Sequence, residues 1–72
     1  MTLYIKLKNK NKSRFAECIA LQFRFDVNKI DALYPERDRE FETYNLDDVD
    51  MISVDFQIVF QNGKFSPKWK QK

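Results

Sequence analysis

Apolar residues return at every second position over much of this chain, and that spacing commits most of it to strands. In TLYIKLK, residues 2–8, Leu3, Ile5 and Leu7 share one face while Tyr4, Lys6 and Lys8 share the other. From Phe15 to Val27 the odd positions are apolar except Glu17, which reads as one long strand, bent or bulged near Glu17 and covered on both faces in its first half. If Glu17 faced inward it would need a partner, so a bulge that turns it outward is expected. Met51 to Phe60 alternates most cleanly of all, with Ile52, Val54, Phe56, Ile58 and Phe60 on one face.

Turn chemistry divides these runs. NKNKS, 9–13, is a polar loop, ERDRE, 36–40, a charged connection, and NLDDVD an acidic turn after a short strand from Phe41 to Tyr44. Asn28 can cap a helix, Asp31 suits its first turn, and Pro35 stops it, so a short helix is expected near residues 29–34.

Asn62-Gly63 is a type I′ hairpin signal, since both central residues of that turn need positive φ. A two-residue loop sets Gln61 against Lys64, Phe60 against Phe65, Ile58 against Pro67 and Phe56 against Trp69. It also sets Gln57 against Lys68 and Asp55 against Lys70 on the other face. Trp69 is then core. Pro67, with no amide hydrogen, marks a sheet edge that the neighbouring lysines protect.

The expected fold class is mainly β, a β-rich α+β arrangement. About five mostly antiparallel strands form a small barrel or strongly twisted sheet, with the one short helix. Residues 1–72 make a single small globular domain, near the lower limit for a core without staples. Seven Phe, three Tyr and one Trp supply the large side chains such a core needs.

Composition narrows the chemistry. With no histidine and one cysteine, the usual zinc sets and an intramolecular disulfide are excluded. Cys18 reads as a small buried hydrophobe. No histidine is present to activate Ser13, Ser53, Ser66 or Cys18, and Gly63 is the only glycine, so no glycine-rich phosphate loop exists. The acidic turn lacks the glycine and closing glutamate of an EF-hand loop. The expectation is no catalysis, no cofactor and no metal. No export signal or spanning segment is visible, and a lone thiol suits a reducing compartment, so a soluble cytoplasmic protein is expected.

The net charge of +2 hides a segregation. Lys6, Lys8, Lys10, Lys12 and Arg14 lie at one end and Lys64, Lys68, Lys70 and Lys72 at the other, with ten acids between Asp26 and Asp55. The function expected is that of a small non-enzymatic binding module, accessory or regulatory, that acts by protein–protein contact. Its candidate surface for a basic partner is Glu36, Asp38, Glu40, Glu42, Asp47, Asp48 and Asp50. Homodimerisation is also expected, because a second copy would bury more apolar area. The alternative is single-stranded DNA or RNA binding by Tyr4, Lys6, Lys8, Lys64, Lys68 and Lys70, if the first strand lies near the last.

Overall fold

A computed structural model describes residues 1–9, 13–35 and 41–66. It is mainly β, with eight strands among the described residues, every pair antiparallel, and a short 3-10 turn at Leu46–Asp48; there is no α-helix among the described residues. The first strand, β1 (Thr2–Leu7), shows the expected alternation, burying Leu3, Ile5 and Leu7. It pairs with β2 (Arg14–Glu17) from Thr2↔Glu17 to Ile5↔Arg14.

The long strand expected from Phe15 to Val27 is two strands. After Glu17 the chain turns a corner and continues as β3 (Ala20–Arg24) in a second sheet. At the corner the hydrogen bonding changes hands. The Cys18 N–H donates to Met1 O at 2.7 Å, and the next amide, Ile19, donates to Leu33 O at 2.7 Å. The small Cys18 side chain fills the inside of the bend, where it is buried, and Glu17 points out to solvent. Against expectation Phe15 and Ile19 on either side of the corner, and Phe25 and Val27 in the turn after β3, are exposed, and β2 is not covered on both sides; Leu21 and Phe23 do pack against the core.

The expected helix near residues 29–34 is instead a strand, β4 (Lys29–Leu33). Asn28 does not cap anything helical. It adopts φ 60 at the end of the turn 25–28, a left-handed conformation that asparagine tolerates. The following Ile30, Ala32 and Tyr34 are all buried, so the period is two and tertiary burial overrides the local cap signal. Next comes β5 (Phe41–Asn45), as expected, which completes a three-stranded sheet in the order β3-β4-β5.

The 3-10 turn Leu46–Asp48 returns the chain to the first sheet; the Asn45 side chain accepts the Asp47 N–H at its start. Here β6 (Val49–Val54) pairs with β1, register Leu3↔Val54 to Leu7↔Val49, and Asp50 is the extra residue of a bulge. Met51 to Phe60 is therefore not one strand. A two-residue turn, Asp55 at φ 52 and Phe56 at φ 68, folds the chain back into β7 (Gln57–Gln61). This turn contains neither glycine nor proline. It puts Phe56 in solvent, 78% exposed, and Ile58 on the outer face. A second bulge, with Val59 the extra residue, restores the inward direction, so Val59 and Phe60 are buried side by side.

The Asn62-Gly63 hairpin forms as expected, φ 55 and 79, with Gln61↔Lys64 and Phe60↔Phe65 leading into β8 (Lys64–Phe65). The expected partners Pro67, Lys68, Trp69 and Lys70, and the edge inferred from Pro67, lie outside the described residues. The first sheet has the order β2-β1-β6-β7-β8.

The two sheets share one core, built from Leu3, Ile5, Val49, Ile52, Val59 and Phe60 on one side and Ile30, Ala32 and Tyr34 on the other. Phe65 packs edge-on against Phe23 across the sheets, ring centres 5.1 Å apart. No hydrogen-bonded ladder joins β8 to β3 or β5 among the described residues, so the barrel is not closed there.

Candidate interaction surface

Strand register decides which side chains share the solvent face of the five-stranded sheet, and it arranges them in three rows. In the middle row Phe15 is paired with Tyr4, Tyr4 with Ser53, and Ser53 with Ile58. Tyr4, Ser53 and Ile58 each adjoin a buried residue on their own strand, and Phe15 adjoins Ala16, which packs against the core, so each points away from the core. Phe15 is 65% and Ile58 47% exposed, and the Phe15 and Tyr4 rings meet edge to face at 5.9 Å. Phe56 stands at the turn just before Ile58.

On one side of this row run Lys6, Met51, Gln61 and Lys64, again paired in succession. On the other side lie Glu17, Thr2 and Asp55. Thr2 Oγ1 donates to Glu17 at 2.6 Å, and the Thr2 N–H donates to the Asp55 carboxylate at 2.9 Å. The amino terminus lies 3.8 Å from Glu17 and donates to Cys18 O. The face therefore runs from basic through apolar to acidic along the strand direction.

Of the residues expected to bind nucleic acid, Tyr4, Lys6 and Lys64 fall on this one face, with Lys64 three strands from Lys6. Lys8 follows β1 and is exposed. Lys68 and Lys70 lie outside the described residues. So do Glu36, Asp38 and Glu40 of the expected acidic surface. Asp47, Asp48 and Asp50 are exposed on the 3-10 turn and the start of β6. Asp47 accepts the Asn28 side-chain amide at 2.9 Å, and the Asp48 carbonyl takes the Lys8 N–H. Glu42 is half-buried and turned elsewhere: it accepts the Tyr44 hydroxyl at 2.5 Å.

That last contact belongs to a chain linking the sheets. Tyr44 gives its proton to Glu42, so the Tyr34 hydroxyl, 3.2 Å away, donates to the Tyr44 oxygen. The Arg14 guanidinium, carried by β2, sits 4.0 Å above the buried Tyr34 ring. Burial raises the titration of both phenols, that of Tyr44 furthest, and the bond to Glu42 pushes it the same way. The two tyrosines, one bonded to a carboxylate and the other lying under a guanidinium, brace the two sheets; neither phenol is poised to act as an acid or base near neutral pH.

Two of the nucleophilic side chains are already engaged. Burial raises the Cys18 thiol above its ordinary range, and its Sγ points at Ala20 O, 3.0 Å away. Ser13 Oγ accepts the Leu7 N–H at 2.9 Å. No group of three or more Cys, Asp or Glu residues that could hold a metal ion occurs among the described residues. No helix among them is long and apolar enough to cross a membrane.

The exposed aromatic row was not foreseen from sequence. Phe15, Phe56 and Ile58 were expected in the core because they continue the alternation of strands that in fact bend or turn. Comparison of the chain with protein-family models, with curated proteins and with solved structures finds no match.

Proposed function

We propose that this chain is a non-enzymatic binding module, accessory or regulatory in kind, which works by contacting protein through the outer face of β2, β1, β6 and β7. The observation that carries the reading is the continuous row Phe15, Tyr4, Ser53 and Ile58 with Phe56 at its end. Aromatic side chains of this kind are the usual anchors of protein interfaces, and an exposed run of them on a small domain has no folding role of its own.

Phe56 strengthens the case. A bulky side chain at φ 68 is strained by roughly 1–2 kcal/mol, and at 78% exposure Phe56 recovers little of that by packing. Phe56→Gly is accordingly expected to raise stability by about 1 kcal/mol in urea titration while weakening partner binding. A loss of stability would show that the ring is packed after all.

The reading is tested by placing a photo-crosslinking phenylalanine at position 15, 56 or 58, and at 22 as control. Gln22 is exposed on the other sheet. Protein adducts from the first three positions and few from position 22 are expected. Equal labelling from position 22 would refute the assignment of the face.

The second reading is single-stranded nucleic-acid binding, favoured by Lys6 beside Tyr4 and by Lys64 three strands away on the same face. Glu17 and Asp55 on its opposite margin weigh against it, since phosphates would approach two carboxylates. Anisotropy with labelled single-stranded RNA and DNA at low and moderate salt separates the two: tight, steeply salt-dependent binding supports nucleic acid, and none at low salt leaves the protein reading. A cytoplasmic location fits either role, the buried lone thiol being at home in a reducing compartment.

A further inference from the structure

We infer that the occupant of this face is a second copy of the same chain, packed sheet against sheet about a two-fold axis. The axis lies in the plane of contact and runs along the row Phe15, Tyr4, Ser53 and Ile58. This rests on the reading of the face as a protein-contact surface.

The argument is one of charge order. A partner that was simply acidic would suit Lys6 and Lys64 but meet Glu17 and Asp55 at the other end of the strands; a basic partner has the reverse problem. The face carries both signs, separated along the strand direction with the apolar row between. One operation satisfies it with itself. Rotation about the row leaves apolar on apolar and brings Lys6 of each copy over the acidic row of the other, and contacts made this way occur twice.

In that arrangement Lys6 of one copy lies over Thr2 of its partner copy, with Glu17 and Asp55 each about one strand spacing, ~4.8 Å, to either side. The amino terminus beside Glu17 offsets part of its charge, which leaves Asp55 as the stronger counterpart. Strands of the two copies run antiparallel across the contact, the aligned geometry of sheet-on-sheet packing once twist is included. Four strands at that spacing and three rows give a contact on the order of 300 Å² in plan. That is small beside the ~800 Å² per partner of a standard stable interface, so association is reversible and concentration-dependent.

The test is sedimentation equilibrium over a concentration series at low and moderate salt, with the melting curve of every variant recorded. The wild-type chain is expected to pass from monomer to dimer, more weakly as salt rises. Ile58→Lys is expected to abolish the dimer with the melt unchanged, because Ile58 is outside the core. Lys6→Glu should weaken association about tenfold, and adding Glu17→Lys should recover part of the loss, Asp55 remaining in place.

A wild-type chain that is monomeric throughout, or a dimer that survives Ile58→Lys, overturns the inference. A monomer that still gives adducts to another protein from positions 15, 56 and 58 overturns it while the broader reading stands. Adducts to nucleic acid from those positions overturn both.

Discussion

Ile5→Ala is expected to remove about 3 kcal/mol of folding stability, enough to leave a chain of this size partly unfolded at 37 °C. Ile5 is fully buried on β1, the strand that lies between β2 and β6, and is paired with Arg14 on one side and Ile52 on the other. Truncation leaves a cavity beside Ile52 that rigid sheet backbones cannot close. A domain of 72 residues has roughly 4–11 kcal/mol in all, so the loss is a large share of the total. Urea titration should show the midpoint falling by about 2 M or more with little change in slope. Phe15→Ala is the informative companion. The alternation of the sequence puts Phe15 in the core, whereas the structure exposes it, so its truncation should cost under about 1 kcal/mol. Equal losses from the two variants would mean that β2 is turned over.

Asp31→Asn is expected to cost about 1–3 kcal/mol, the next largest effect. Asp31 stands in the middle of β4, 6% exposed, between Gln22 and Thr43. Its carboxylate accepts Thr43 Oγ1 at 2.6 Å and Arg24 Nη2 at 3.0 Å, and Arg24 Nε lies 2.8 Å from its second oxygen. The Thr43 bond foremost, with the Arg24 bond and charge, outweighs burial and holds this carboxyl below the usual range. Arg24 remains partly in water, which keeps the figure toward the lower end. The pH dependence follows in sign. A carboxyl whose folded pKa is depressed contributes fully above about pH 4, and the contribution is lost as the pH falls through the lower folded value. Stability of the wild type should therefore drop below about pH 4 and approach that of Asp31→Asn, whose own profile is flatter over the same interval. Parallel profiles would show that Asp31 is not ionised in the fold.

What the sequence revealed about the fold depended on whether one signal stood alone. β1, β5 and the Asn62-Gly63 hairpin each had a single consistent reading, and each forms as read. Residues 29–34 carried two signals. The capping residues were local and visible, while the alternation of Ile30, Ala32 and Tyr34 was short, and burial decided for the strand. Met51 to Phe60 failed for a different reason. A two-residue turn reverses which parity faces inward, and the bulge at Val59 reverses it again. The two reversals cancel, so Ile52, Val54 and Phe60 keep their phase and the whole run looks like an unbroken strand. Phe56 and Ile58 fall between the reversals. That is why the residues now assigned to the contact face were hidden in the apparent core, and no glycine or proline at Asp55-Phe56 gave the turn away. Tyr4, Lys6 and Lys64 were legible as outward-facing, because β1 and the last hairpin were.

The central place of β1 also bears on how the chain is made. It is made before β6, yet one of its two edges is completed only by that strand, just after which Asp55 meets Thr2 across 53 residues. Until that segment leaves the ribosome, the nascent chain holds an apolar strand with one side unpaired. Completion of the core thus waits until β6 is made, and closing so long a loop slows folding. The interval favours chaperone capture, and a message truncated before β6 should yield a product that aggregates or is degraded.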